Sequence, residues 1–359
     1  MARQSHNHVM HTDQFKDLAA KVRADQRLDR DEGIFLYEQA PLEGLRALAN
    51  EVAERKNGRE VAYVVNRHIN YSNLCKLDCF FCAFAKTRED EDGYEYSIDQ
   101  MRRRAQDAVD AGATEIHMVG GLHPDYPYEY YPNLLRTLKA EFPTLTLKAF
   151  TAVELNYFME LSGKDLPWVL VDLKEAGLGF VPGGGAEVLS DRVWKKLFRK
   201  KIRPSRWLEV HRAVHEAGLR SNATLLFGHI ETVEEKVDHH IALRELQDDT
   251  GGFVSFIPLR FHPRNTVLSH IEIADSEATQ REIAVGRLML DNFRHIKAYW
   301  IMTGLETGRL ALTGGADDFD GTVVEEKITH MAGAATPEGL SGDDISALIR
   351  AEGKIPLQR

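Results

Sequence analysis

Cysteine is scarce in this sequence: three in 359 residues, all between positions 75 and 82. An odd count without an export signal argues against a disulfide framework. Long apolar runs are also missing, none approaching the roughly 20 residues that cross a bilayer. The opening MARQSHNHVMHTDQ lacks the apolar core of a secretory signal. The expectation is therefore a soluble, cytoplasmic protein with no membrane partner. Positive charge is in deficit, 45 basic against 55 acidic residues for a net −10, which argues against nucleic acid as a partner. Anionic small molecules stay open wherever a few Arg, Lys or His side chains converge. Low-complexity linkers and internal repeats are absent too. Residues 1–359 are expected to form one domain, and a hydrophobic content of 43% suffices for a sizeable core.

What is there alternates. Apolar, β-rich runs at 61–69, 115–119, 145–150, 178–181, 222–227, 253–257 and 297–302 predict seven strands, with an eighth near 310–313. Helical patterns lie between them near 98–111, 127–141, 165–176, 189–198, 205–217, 232–248 and 277–294. Repeated βα units over about 250 residues suit an α/β fold, a (β/α) TIM-type barrel. Its core is expected at about 60–320, with helical extensions at 1–58 and 322–359; the first of these stops at Asn57–Gly58. The active face of such a barrel lies at the C-terminal ends of its strands. The conspicuous segments all fall there: the cysteine loop, Gly120–Gly121, Thr151–Glu154, Pro182–Gly185, Gly228–Glu231 and Arg260–Pro263.

Cys75, Cys79 and Cys82 stand in the run CKLDCFFC. Thiolates are soft ligands for zinc, Cu(I) or iron–sulfur clusters. A structural zinc site needs a closed set of four, which His68 or His117 would have to complete. A [4Fe–4S] cluster normally takes four cysteines, so three leave one iron open. The pattern Cys-x3-Cys-x-aromatic-Cys, with Phe81 as the aromatic, resembles that of the radical S-adenosylmethionine enzymes. The resemblance implies a [4Fe–4S] cluster on the three cysteines with S-adenosylmethionine at the open iron, as the source of a 5′-deoxyadenosyl radical. By the same resemblance Gly120 and Gly121 would meet the methionyl group, and Glu154 and Glu187 the ribose. Thr224 to Glu231 would form the fifth-strand contact, and the backbone of Phe256 to Pro258, Ile257 included, would flank the adenine with Phe81.

Six longer segments, HINYSNLCKLDCFFCAF, GFVPGGGAEVLSDRV, SNATLLFGHIET, LRELQDDTGGFVSFIPLRFHP, RLMLDNFRHIKAYWIM and GGADDFDGTVVEEKITHMAGA, closely resemble the aminofutalosine synthase family of the futalosine route to menaquinone. The cyclase acting on dehypoxanthine futalosine and the deazaflavin-forming enzymes are sister families. The resemblance implies addition of the 5′-deoxyadenosyl radical to 3-[(1-carboxyvinyl)oxy]benzoate, giving 6-amino-6-deoxyfutalosine with loss of a carboxyl group. It also implies an electron donor such as flavodoxin or ferredoxin. The substrate's two carboxylates need donors, and the candidates are His262, Arg260, His229, His68 and Asn70. Two further histidine groups are expected on solvated helix faces: Asp238–His239–His240, and His211 with His215. Asp317 and Asp318 are expected to be polar structural residues.

Overall fold

The computed structural model describes residues 2–359, with side chains from Asp13 onward. Among the described residues ten strands form: β1 (Glu60–Val64), β2 (Asn66–His68), β3 (Glu115–Met118), β4 (Thr146–Ala149), β5 (Phe180–Val181), β6 (Arg220–Phe227), β7 (Phe253–Arg260), β8 (His295–Ile296), β9 (Asp318–Gly321) and β10 (Ile355–Gln358). Strands β2 to β8 make one parallel sheet in sequence order, while β1 sits between β10 and β9 in a smaller one. Helices separate the strands of the large sheet, so each crossover returns the chain in the same direction and curls the sheet toward a barrel.

The run 61–69 is thus two strands, not one. Asn66 divides them: its N–H donates to Thr322 Oγ1 (2.9 Å), and its side-chain oxygen accepts from Val323 N–H (2.8 Å). The same C-terminal segment closes the barrel. Along β8, Asp317 N–H donates to Ile296 O (3.1 Å) and Ala298 N–H to Asp318 O (2.8 Å). At the other edge Thr322 N–H donates to Val64 O (3.1 Å) and His68 N–H to Val324 O (2.9 Å). Residues 317–324 therefore occupy the eighth wall. Residues 310–313, expected there, are instead the end of the helix Leu305–Ala311 and the turn after it, which Gly315 leaves with φ +114°. The expected strand 297–302 is short for a related reason, since the chain turns into the helix Trp300–Thr303.

Beyond the barrel, residues 322–359 are not wholly helical: after the helix Gly342–Ala351 the chain pairs as β10 alongside β1. The N-terminal helices Arg30–Glu38 and Leu42–Asn57 lie over the barrel helices Val233–Thr250 and Ser276–Met289. Leu36, Leu45 and Ala49 meet Val237, Val285 and Met289 there in a second core. Asp238 is exposed as expected, paired with Arg30 (2.6 Å), but the expectation of a solvated face is corrected for His239 and His240. Both imidazoles are fully buried, with His240 between Phe256 (5.2 Å) and Tyr37 (6.4 Å). His211 and His215 also face inward, their ring nitrogens 2.9 and 2.8 Å from Ser221 Oγ on β6. Asp317 and Asp318 are structural: Asp317 pairs with Arg287 at 2.6 Å and Asp318 with Arg359 at 2.7 Å. Among the described residues, no helix is long and apolar enough to cross a membrane.

Candidate active site

Loops from the C-terminal ends of the strands enclose a cavity of about 330 Å³. Its mouth is built by the loop after β2. Cys75, Cys79 and Cys82 all border the cavity, and Cys75 Sγ accepts N–H bonds from Leu77 (3.4 Å) and Leu122 (3.3 Å). Burial pushes the Cys79 thiol up to about 12 and raises Cys82, against the pull of Lys201. Lys201 is fixed by an ion pair to Glu187 and lies 5.2 Å above the Phe81 ring. Gly120 and Gly121, after β3, let this loop settle. A β-carbon on Gly120 would stand 2.5 Å from the Tyr71 ring, and one on Gly121 would stand 2.2 Å from Leu74 O.

Thr151 and Glu154 belong to a helix absent from the sequence-based expectation, Ala152–Ser162, whose N-terminus they close as a capping box. Glu154 does more than cap. It accepts from Thr151 N–H (2.7 Å), Thr151 Oγ1 (2.8 Å), Tyr71 OH (2.7 Å) and Gly120 N–H (3.2 Å), joining three of the active-face loops. Burial raises its carboxyl to about 7 despite these donors. Glu187, Thr224 and Ile257 also border the cavity, and Thr224 Oγ1 donates to Gly183 O (2.8 Å).

Of the other residues expected at this site, His262 and His68 border the cavity, whereas Asn70, His229, Glu231 and Arg260 are not among its walls. Each of the four has another local role. Asn70 donates to Val119 O (2.8 Å), and Arg260 Nε donates to Met302 O (2.9 Å). Glu231 accepts N–H bonds from Gly228 (2.6 Å) and His229 (2.9 Å), which folds the Gly228–Glu231 turn onto itself. His262 Nε2 also donates to Met302 O (2.9 Å).

The floor of the cavity departs from the usual barrel interior of branched apolar side chains. His68, His117 and Lys148 lie level on β2, β3 and β4, paired residue to residue across the sheet. The two imidazoles stack with centroids 4.4 Å apart. Asp320 from the closing segment faces them, ion-paired to Lys297. Lys148 is 5% exposed. Its one ion-pair partner among the described residues is Glu115 Oε1 at 3.6 Å, too long for a hydrogen bond. His68 Nε2 is buried without a hydrogen-bond partner among the described residues, and burial lowers that imidazole to about 4, so it is neutral at physiological pH. Sequence reasoning did not find Lys148, because LTLKAF reads as an ordinary alternating strand whose lysine faces solvent.

Comparison with known proteins agrees with this geometry. A family model for the radical SAM superfamily matches residues 69–243, and one for the CofH/MqnC C-terminal region matches 250–359. The chain is 43% identical over 347 residues to an aminodeoxyfutalosine synthase of Thermus thermophilus, covering 95% of this chain and 93% of that protein. It is 42% identical over 355 residues to an aminodeoxyfutalosine synthase of Streptomyces coelicolor, covering 96% and 92%. The chain belongs to the radical SAM superfamily. Among solved structures, methylornithine synthase superposes with a TM-score of 0.73 at 18% identity, covering 95% of this chain and 97% of that one, a likeness of fold.

Radical SAM enzymes use a [4Fe–4S] cluster and S-adenosylmethionine, and the residues present fit both. Three thiols open onto one cavity beside a glycine pair and a buried carboxyl. Among the described residues no three His, Cys, Asp or Glu side chains converge on a point suited to a single metal ion. A cubane cluster takes one thiolate per iron and needs no such convergence.

Proposed function

We propose that the chain carries out the reaction of its relatives named aminodeoxyfutalosine synthase, joining the adenosyl carbon of S-adenosylmethionine to 3-[(1-carboxyvinyl)oxy]benzoate. The product is 6-amino-6-deoxyfutalosine, and the lost carboxyl leaves as CO2 or bicarbonate. Cys75, Cys79 and Cys82 would hold the cluster. Gly120, Gly121, Glu154, Glu187, Thr224 and Ile257 border the space for S-adenosylmethionine. When bound, the cluster and S-adenosylmethionine supply a 5′-deoxyadenosyl radical. The protein's part is to hold the alkene against that carbon, at about 3–3.5 Å, with water excluded.

The observation that carries the reading is the polarity of the cavity from end to end. Thiols stand at its mouth, and an ammonium without a hydrogen bond among the described residues stands at its floor. The substrate has matching ends. Its enol ether must reach toward the cluster, which directs the ring carboxylate to the floor, where Lys148 has donors to offer and His117 and then His68 continue the row on one side. His262 lines the wall between them. A buried anion needs such donors, and a charge-assisted hydrogen bond is the strong kind. Radical addition calls for no strong base, in keeping with a neutral His68 and with a His262 that burial lowers.

The other partner is a one-electron donor such as flavodoxin or ferredoxin, and a reducing cytoplasm suits an oxygen-labile centre. Turnover with S-adenosylmethionine labelled in its adenosyl carbons tests the reading. The label should enter the product in one-to-one ratio with the methionine released. Accumulation of unlabelled product, or of free 5′-deoxyadenosine in place of product, would contradict it.

A further inference from the structure

The segment 194–203 reads WKKLFRKKIR, six basic side chains in ten residues of a chain whose net charge is −10. Lys201 turns inward to Glu187, but Lys195, Lys196, Arg199, Lys200 and Arg203 are exposed. Lys200 pairs with Asp78 (2.7 Å) and Arg203 lies over Trp194 (4.5 Å). Lys195, Lys196 and Arg199 have no ion-pair partner among the described residues. This segment is joined to the cysteine loop, since Phe80 N–H donates to Leu197 O (3.0 Å). Together they form a surface groove of about 190 Å³ bordered by Asp78, whose charge Lys200 matches, and by Cys79, Phe80 and residues 195–200. Phe80 is 54% exposed. Cys79 borders this groove on one side and the active cavity on the other. A cluster ligand is thus backed directly by a basic surface groove with an exposed aromatic ring.

We infer that this face docks a small acidic one-electron carrier protein, with Phe80 at the centre of the contact and Lys195, Lys196 and Arg199 at its rim. An apolar centre with a charged rim is the usual anatomy of a transient interface. A local cationic patch on an anionic protein steers an acidic partner to one spot. In the step itself one electron leaves the carrier, which is oxidised by one equivalent, and enters the cluster; no bond forms or breaks. The cysteines supply a single centre, so the electron arrives from outside, and Cys79 is where a ligand of that centre meets the surface. The inference rests on the cluster the family carries and adds a docking surface to the partner named above.

The triple variant Lys195→Glu, Lys196→Glu, Arg199→Glu changes only exposed rim charges. Its binding to oxidised flavodoxin, the probe, is measured by calorimetry on the holoenzyme at about 50 mM and about 500 mM salt, where screening differs strongly. The expected result is a loss of about tenfold or more in affinity at low salt, and a similar loss for the unmodified protein on raising the salt. Bleaching of the cluster by reduced flavodoxin should slow by a like factor, while bleaching by reduced methyl viologen, a small cation that needs no docking face, should not change. Equal flavodoxin affinity in the variant would overturn the inference. So would an equal slowing with methyl viologen, or retention of single-stranded nucleic acid on this face in preference to flavodoxin. Failure of the functional reading is seen separately: the enzyme reduced by methyl viologen would then form no aminofutalosine, whatever the flavodoxin affinity.

Discussion

Replacing Lys148 with Met removes the ammonium at the cavity floor and keeps a side chain of similar length. If that ammonium receives the ring carboxylate of the substrate, the variant loses a charge-assisted hydrogen bond, worth about 1.5–3 kcal/mol. At 1.4 kcal/mol per tenfold this is a weakening of about 10- to 150-fold. Stability should hold or rise. Lys148 is buried with its one carboxylate partner among the described residues at 3.6 Å, so the fold sets little attraction against the removal of that charge from water. The assay is calorimetric binding of 3-[(1-carboxyvinyl)oxy]benzoate with S-adenosylmethionine present and reductant absent, beside an analogue with a carboxamide in place of the ring carboxylate. Burial lowers the Lys148 ammonium below its ordinary range, so affinity in the unmodified protein should fall as pH rises toward alkaline values. Lys148→Arg, whose charge is permanent, should flatten that fall. Equal affinities of the Met variant and the unmodified protein for the substrate would refute the reasoning, as would an equal loss for substrate and carboxamide.

Further outcomes are expected. Burial lowers His68 to about 4 and His239 to about 3, with His211 and His240 well below their ordinary value. The unfolded chain binds protons that the fold refuses, so stability is full above about pH 6.5 and declines as pH falls toward 4. Each such histidine adds up to about 1.4 kcal/mol per pH unit; raised carboxyls such as Glu154 offset part of the slope, and a melting temperature that is flat from pH 7.5 to 5 would count against the assignment. Gly121→Ala places a β-carbon 2.2 Å from Leu74 O and 2.9 Å from Cys75 Cβ. It should displace the cysteine loop, lowering iron content on anaerobic reconstitution and stability by about 1–3 kcal/mol. Glu154→Gln sets an amide donor against groups that all donate to the carboxyl, and should lose about 1–3 kcal/mol. Because the native carboxyl titrates at about 7, the ionised form is the disfavoured one in the fold. The deficit seen in melts near pH 5 should therefore narrow as pH rises through 7.

The strands and the cysteine loop were legible because their signals are local: β-rich runs between helical patterns, and three thiols within eight residues. Closure of the barrel was not. Its eighth wall is the acidic segment 317–324, held by hydrogen bonds to β8 and β2 that no propensity encodes. Lys148 escaped because strand alternation gives two faces without saying which one lines a lumen, and only the register with His68 and His117 decides it. His239 and His240 read as solvated because their helix carries charges; His240 is covered by Tyr37 of an N-terminal helix about 200 residues earlier in sequence, and His239 by the barrel loop whose Leu189 N–H donates to it (3.1 Å). Glu231 stood at the right place on the active face, yet the backbone of its own turn captures it.

The most direct test of the account is anaerobic reconstitution followed by incubation with S-adenosylmethionine, reductant and 3-[(1-carboxyvinyl)oxy]benzoate, read by mass spectrometry. A brown protein that yields the mass of 6-amino-6-deoxyfutalosine is the expected result. A colourless protein holding one zinc ion, or a reconstituted cluster that yields no such mass, would contradict it.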